Sequence, residues 1–337
     1  MIDNPSLPPT AIPLPDIQAA RQRLQGQVLR TPLVRLNLAE APAQIYLKLE
    51  NLQPVGSFKL RGAGNALAVA QASQLAEGVW TASAGNMALG LAWFARQGGV
   101  PCTVLAPEDA PAAKLEGVAR LGARIVKTSF EEYQRIQRFG DPQRQQELGL
   151  SGLLVHPFND PAVMAGNGCI ALEILEDLPE VDAILVPYGG GGLSCGIASA
   201  VRALRPGVKV FASEAANAAP LAACLAAGRL VTVPYQASFI SGMGAPFVFE
   251  SMWPRASQLL NGSLVVSLQE VADALRLLAV RNHVIAEGAG AVALAAALTL
   301  KNGPLAGLAG GKIACIVSGG NIDAHLLTEI LQDRLPT

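Results

Sequence analysis

Residues 51–63, NLQPVGSFKLRGA, are the stretch from which the fold can be worked out. They follow an apolar run at residues 45–49 that predicts a strand. Lys59 stands after a Gly-Ser-Phe turn, where a helix of small residues is predicted to begin. Desolvation of a lysine held there lowers the pKa of its amine, and a neutral amine can attack an aldehyde or act as a base. A lone lysine is more often a solvated surface residue, so this prediction depends on further motifs.

Composition and charge argue against several classes of function. The chain has 337 residues, of which 51% are hydrophobic and 15% charged, enough for a large core divided between two lobes. A formal net charge of -1 gives no basic surface for nucleic acid or for an anionic membrane. The scattered cysteines form no Cys-x-x-Cys pair, which suits a reducing compartment, and the distant histidines have no zinc-ligand spacing. We therefore expect no metal.

Neither the first residues nor the longest apolar run indicates export or a membrane anchor. Residues 1–5 lack the basic and apolar regions of a signal peptide. The apolar run at residues 285–300 contains Glu287 and two glycines, so it is too short and too polar to span a membrane and predicts a buried helix. We expect a cytoplasmic protein that acts on a small molecule.

Apolar runs alternate with helix-like stretches along the chain. This order predicts an α/β fold with mainly parallel sheets flanked by helices. Further strands are predicted at residues 79–82, 103–106, 124–128, 183–186, 209–213 and 312–317. Helices are predicted at residues 87–96, 112–121 and 194–204, and a surface helix and loop at residues 134–146.

Two segments are predicted to present backbone N–H groups to an anion. Residues 81–90, TASAGNMALG, follow a strand and open a helix, a place that binds carboxylates or phosphates, and Asn86 adds a donor and an acceptor. The alternative is an ordinary turn capped by Ser83. Four consecutive glycines, residues 189–192, likewise lie between a strand and a helix. They do not fit the G-x-G-x-x-G dinucleotide pattern, so we predict that they bind a phosphate monoester.

A fourth segment, residues 317–321 (VSGGN), ends a predicted buried strand. The hydroxyl of Ser318 would face the crevice in which α/β sheets bind ligands, although a plain turn explains this segment equally well when it is taken alone.

Together and in this order, the four segments resemble the fold-type II pyridoxal-phosphate (PLP) enzymes, most closely the serine/threonine dehydratases, or threonine ammonia-lyases. Residues 156–161 (HPFNDP), 165–168 (AGNG) and 287–291 (EGAGA) extend the resemblance over nearly the whole chain. It implies a two-lobed, tryptophan-synthase-β-like fold, with a large cofactor-binding domain at residues 1–53 and 153–337 and a small domain at residues 54–152. It also implies a homodimer.

The resemblance also implies a role for each site residue. Lys59 would hold PLP through a Schiff base, Phe58 would pack beside the ring, Asn86 would bond its phenolic oxygen and Ser318 its pyridine nitrogen. The phosphate would lie on Gly189, Gly190, Gly191, Gly192 and Leu193. The amino-acid substrate would be bound by Ser83, Ala84, Gly85, Asn86 and Met87.

The implied reaction is β-elimination of a β-hydroxy amino acid, L-threonine and/or L-serine, to a 2-oxo acid and ammonia. Lys59 would remove the Cα proton. A serine at the pyridine nitrogen, unlike a carboxylate, does not keep that nitrogen protonated, so the ring is a weaker electron sink. Expulsion of the β-hydroxyl is then favoured.

The chain departs from the family pattern at four places. Met87 stands where many relatives have histidine, and Ala84 where serine-racemising relatives have a second serine, so we expect little racemisation. Glu214 matches one ligand of a family cation site, but Pro220 replaces the acidic residue expected six positions later. The usual Ala-Asp-Gly near the active site reads Ile-Ser-Gly at residues 240–242.

Three alternatives stay open. The same chemistry on a bulkier substrate such as phenylserine would suit Met87 and the altered residues 240–242. β-Replacement is a second enzymatic reading, and a non-catalytic PLP-binding protein is a third.

Overall fold

The computed structural model describes residues 10–299 and 306–336. Residues 1–5, considered above for a signal peptide, lie outside these ranges, as does residue 300 at the end of the predicted buried helix. In the described ranges, no helix has both the length and the hydropathy needed to cross a membrane.

The strands are β1 (Leu33–Arg35), β2 (Gln44–Leu49), β3 (Val79–Ala82), β4 (Cys102–Pro107), β5 (Arg124–Thr128), β6 (Leu153–Leu154), β7 (Ala183–Pro187), β8 (Lys209–Ala215), β9 (Ser263–Val266) and β10 (Lys312–Val317). The helices are α1 (Leu14–Leu24), α2 (Lys59–Val69), α3 (Ala72–Ala76), α4 (Asn86–Gly98), α5 (Ala112–Arg120), α6 (Phe130–Phe139), α7 (Pro142–Glu147), α8 (Pro161–Asp177), α9 (Gly192–Leu204), α10 (Pro220–Ala227), α11 (Trp253–Leu259), α12 (Leu268–Leu277), α13 (Gly288–Leu298) and α14 (Ala324–Leu331). Short 3₁₀ turns at Glu50–Leu52 and Ala306–Leu308 and a π-helical turn at Leu278–Asn282 complete the list.

The strands form two sheets, which confirms the predicted α/β fold. One has six strands in the order β1-β2-β10-β7-β8-β9, and the other has four in the order β5-β4-β3-β6. The β1–β2 pair is antiparallel, and the other strand pairs between described residues are parallel. Each crossover between parallel strands carries helices, as parallel pairing requires.

The central strands of the six-stranded sheet are buried on both faces. On β10, Ala314 and Ile316 pack into the core that includes α8 and α9, whereas Ile313, Cys315 and Val317 pack into the core that includes α12 and α13. Such strands read as continuous apolar runs rather than alternating ones. This explains why their sequences predict strands so directly.

A buried group of charges ties α2 to the large sheet and to α8. Arg61 Nε and Nη2 donate to Glu50 at 2.8 Å, and its Nη1 and Nη2 donate to Glu173 at 2.7 and 2.9 Å. Lys48 Nζ also donates to Glu173 at 2.6 Å, and the Thr31 hydroxyl donates to Glu50 at 2.5 Å. Burial opposes ionisation of Glu50, but the Arg61 guanidinium lowers the pKa of that carboxyl. Both carboxylates are thereby paired, and Arg61 lies two residues after Lys59.

We predict that Arg61→Met destabilises the protein by about 3–5 kcal/mol, because it leaves Glu50 and Glu173 buried with less charge compensation. Urea denaturation followed by circular dichroism measures this free energy. The control is Arg120→Met, since the side chain of Arg120 is 71% exposed beside Glu116, and it should cost less than about 1 kcal/mol. Equal stability of the two variants would show that the buried charges do not hold α2 in place.

Candidate active site

The four segments singled out in the sequence meet at the carboxyl ends of β3, β7 and β10. The Phe58 N–H donates to the Ser318 carbonyl at 3.0 Å, and the Gly320 N–H donates to the Gly56 carbonyl at 2.9 Å. Helix α4 packs closely against the start of α2. A Cβ built at Gly90 would lie only 3.2 Å from the carbonyl oxygen of Lys59. The Lys59 turn is therefore fixed between β10 and α4.

Lys59 is the first residue of α2, as predicted, and its amine has few partners. Nζ donates to the Pro157 carbonyl at 2.5 Å and lies 5.1 Å from the centre of the Phe58 ring. Burial lowers the pKa of this amine to about 8, and in the described part of the chain no carboxylate pairs with it to oppose that shift. Lys59 therefore becomes neutral at a lower pH than an ordinary lysine, whose pKa is about 10.4.

Asn86 has a fixed side-chain orientation. Its Nδ2 donates to Glu287 Oε1 at 2.7 Å, and its Oδ1 accepts from Asn321 Nδ2 at 2.8 Å. Asn321 Nδ2 also donates to the Val55 carbonyl at 2.9 Å, beside the Lys59 turn. These contacts use one of the two Asn86 amide hydrogens and leave the second for a ligand. The sequence reasoning did not name Glu287 or Asn321 as site residues, although both lie in motifs that it quoted.

The start of α4 presents free backbone donors. Gly85 occupies the N-cap position, so the alternative in which Ser83 caps this helix is wrong; the Ser83 hydroxyl accepts the Gly85 N–H at 3.3 Å. In the described part of the chain, the N–H groups of the first three helical residues, Asn86 to Ala88, have no acceptor. Ser83, Ala84, Gly85 and Asn86 are half-buried.

Met87 differs from its neighbours at the start of α4. Its side chain is 1% exposed and packs in the core under the four-stranded sheet, together with Leu91 and Val104. Met87 therefore faces the start of the helix with its N–H group rather than with its side chain.

The glycine loop forms a second row of free donors. Helix α9 begins at Gly192, after Gly191 with a φ of 88°. Among described residues, none of the N–H groups at positions 189–194 donates a hydrogen bond, and the buried Ser194 hydroxyl has no partner. A Cβ on Gly190 would lie 2.2 Å from the Phe158 ring, so only glycine fits there. Ser194 is a further candidate that the sequence reasoning did not include.

Ser318 follows the last residue of β10 and is 3% exposed, and its hydroxyl has no hydrogen-bond partner in the ranges described.

The groups of the site that have no partner, or a single one, fit the functional groups of PLP. The N–H groups at 189–194 suit its phosphate, the Ser318 hydroxyl its ring nitrogen, the second Asn86 hydrogen its ring oxygen and the Lys59 amine its aldehyde.

Two of the departures from the family pattern can also be located. Glu214 accepts the N–H groups of Leu221 and Ala222 at 2.9 and 2.8 Å and the Ser263 hydroxyl at 2.6 Å, so it caps the start of α10. Within the described ranges, no group of three or more His, Cys, Asp or Glu side chains is arranged to hold a metal. The 240–242 segment reaches the glycine loop, since the Gly242 carbonyl lies 3.2 Å from a Cβ built on Gly189.

Comparison with known proteins identifies the class. Residues 24–319 match the sequence model of the family described as pyridoxal-phosphate dependent enzyme. The chain belongs to this family, and the predicted cofactor, PLP, is confirmed.

Relatives with similar sequences or structures agree with this assignment. A protein of Thermotoga maritima named L-threonine ammonia-lyase is 38% identical over 96% of this chain and 79% of its own length. A serine racemase of Oryza sativa subsp. indica is 35% identical over 94% of this chain and 93% of its own length. The solved structure of maize serine racemase is 33% identical, with a TM-score of 0.87 over 96% of this chain and 98% of that structure.

We predict that the cofactor-free protein captures PLP at a rate that rises with pH and levels off above a midpoint near 8. Only the neutral amine attacks the aldehyde, and the lowered pKa of Lys59 makes that form dominant at lower pH than for an ordinary lysine, whose pKa is about 10.4. Stopped-flow absorbance measures the rate. The reaction of PLP with a free lysine derivative is the control and should still be accelerating at about pH 9; a capture rate by the protein that also keeps rising there would contradict the prediction.

Proposed function

We propose that this protein is a PLP-dependent ammonia-lyase that converts L-threonine and/or L-serine to the 2-oxo acid and ammonia. The observation that carries the proposal is that the buried Lys59 amine, which has no carboxylate partner among the described residues, shares the site with a serine hydroxyl rather than a carboxylate at the end of β10. Relatives from Thermotoga maritima and Geobacter sulfurreducens, 38% and 40% identical, are both named L-threonine ammonia-lyase.

When bound, PLP supplies an aldehyde carbon for the substrate amine and a conjugated ring that accepts electrons from Cα. Lys59 is the base that removes the proton from the substrate Cα. A base works best when its pKa lies near the working pH, and burial brings the pKa of Lys59 to about 8. The Pro157 carbonyl accepts a hydrogen bond from this amine and holds it in one direction.

The other residues bind and orient the substrate. The free N–H groups of Asn86, Met87 and Ala88 form an anion site at the positive end of α4, which suits the substrate carboxylate. Ser318 provides a neutral hydroxyl at the ring nitrogen. A hydroxyl does not stabilise a positive charge there as a carboxylate does, so negative charge is not stored in the ring and loss of the β-hydroxyl is favoured.

Racemisation is the reaction from which this proposal must be separated, because serine racemases are among the relatives. Returning a proton to the opposite face of Cα requires a second acid on that face. Ala84, in the turn before α4, carries only a methyl group and cannot donate a proton. The residues present therefore support elimination over racemisation.

We predict rapid 2-oxo acid release from L-threonine or L-serine, slower release from phenylserine and no formation of D-serine, as measured by coupled absorbance and chiral chromatography.

Lys59→Ala should abolish turnover and the absorbance band of the lysine-bound cofactor. Lys209→Ala, at an exposed lysine, should change neither. Retained turnover in Lys59→Ala would refute the role of Lys59. A normal cofactor spectrum without oxo-acid release from any β-hydroxy amino acid would refute the lyase and support β-replacement or a binding role.

We also propose the two-domain division at residues 1–53 with 153–337 and 54–152, a cytoplasmic location and a homodimer. The division is supported by the separate four-stranded sheet, which uses residues 79–154. The dimer is supported by exposed apolar side chains on one surface: Leu52 is 47% and Ile285 46% exposed, and Asn51 Nδ2 donates to the Ile285 carbonyl at 3.0 Å.

Light scattering of the PLP-loaded protein should give twice the chain mass of 34.9 kDa. Leu52→Asp should lower that mass, because it places a charge in the proposed contact, whereas Val69→Asp, at another exposed apolar side chain, should not. A wild-type protein with the mass of one chain would refute the dimer.

A further inference from the structure

Helix α6 contacts the turn that leads into the α4 anion site. The Gln137 Nε2 donates to the Ala82 carbonyl at 2.9 Å and to the Tyr133 hydroxyl at 3.1 Å. The Tyr133 hydroxyl itself donates to the same Ala82 carbonyl at 3.1 Å. Ala82 is the last residue of β3 and precedes Ser83. These bonds therefore fix the point from which the chain enters the proposed substrate-carboxylate site.

The same helix also contacts the segment that faces Lys59. His156 Nδ1 accepts the N–H groups of Phe158 and Asn159 at 3.3 and 3.0 Å, so the ring proton must lie on Nε2, which then donates to the Gln137 carbonyl at 3.1 Å. Burial lowers the pKa of His156 to about 4. The imidazole is therefore neutral, with the same tautomer, throughout any ordinary assay range.

The turn held by His156 carries two groups of the site. The Pro157 carbonyl accepts the hydrogen bond from Lys59 Nζ, and the Phe158 ring fills the space beside Gly190. His156 thus sets the position of the acceptor toward which the Lys59 amine is directed.

We propose that Gln137 and His156 are positioning residues through which α6 fixes the spacing between the Lys59 amine and the amino end of α4. Gln137 contributes to both ends, with its side chain at Ala82 and its carbonyl at His156. This proposal rests on the proposed function in taking Lys59 as the reacting amine and the α4 start as the carboxylate site.

Two substitutions separate the two ends. Gln137→Leu removes the amide contacts with Ala82 but keeps the backbone carbonyl that His156 uses. It should raise KM on the order of tenfold and leave PLP capture by the cofactor-free protein unchanged. His156→Leu keeps the Gln137 side chain but releases the Pro157 turn. It should lower kcat and the PLP capture rate on the order of tenfold and leave KM nearly unchanged.

A rescue and a control distinguish positioning from a general loss of structure. In His156→Asn, the side-chain oxygen can accept the N–H groups of Phe158 and Asn159, so most of the capture rate should return. Phe249→Leu removes the ring packed 4.5 Å from that of Phe158 without removing any of these hydrogen bonds. It should lower the thermal midpoint but leave KM, kcat and capture as in the wild type.

Parallel changes in KM and kcat for Gln137→Leu and His156→Leu would overturn the proposal, as would a His156→Asn variant as slow as His156→Leu. If the wild type releases no oxo acid, the proposed function fails by itself. The capture rates of His156→Leu and His156→Asn then still decide the Lys59 end, because they require no turnover.

Discussion

The buried pairing of Arg61 with Glu50 and Glu173 is the interaction on which the site depends. It joins α2 to the end of β2 and to α8, and it does so two residues after Lys59. Removing ions from water costs free energy that pairing repays only when every charge has a partner, and here Arg61 and Lys48 match the two carboxylates. Such a buried ionic group adds little net stability compared with apolar packing. Its hydrogen bonds form, however, only when α2 occupies one position. The position of the first turn of α2, from which the Lys59 side chain extends, is thereby fixed.

Two buried lysines show how the same desolvation gives different results. Burial lowers the pKa of Lys48, but Glu173 opposes that shift and keeps the amine paired with a carboxylate. Burial also lowers the pKa of Lys59, to about 8, and within the described ranges its amine donates to a peptide carbonyl rather than to a carboxylate. A neutral carbonyl stabilises the ammonium form far less than a carboxylate does. The first lysine is therefore a structural cation, whereas the second is available as a nucleophile and base.

The sequence predicts those strands and helices whose secondary structure is determined by a local pattern of apolar residues. Strands β3 and β10 match their predicted bounds at both ends, because strands buried on both faces are mostly apolar. Strand β5 also matches at both ends, although its Arg124 and Lys127 side chains are exposed. The short strands β1, β6 and β9 were not predicted, since their pairing depends on neighbours that the fold brings to them. Helix α8 was missed because it is buried on nearly every side and has no apolar period. In the site, motif order pointed to Lys59 and the free N–H groups, but His156 and Gln137 act through contacts between distant segments, which no local pattern records.

The unused donors link cofactor binding to the stability of the fold. Among the described residues, the N–H groups at positions 189–194 and the hydroxyls of Ser194 and Ser318 have no partners. The Ser194 hydroxyl is also fully buried, and a buried polar group without a partner costs free energy. A phosphate and a ring nitrogen supply those partners only when the glycine loop, β10 and the Lys59 turn are already assembled. A ligand that binds the folded state alone stabilises it. We therefore expect PLP, when it occupies the proposed site at the ends of β7 and β10, to stabilise the folded protein by supplying partners for these donors.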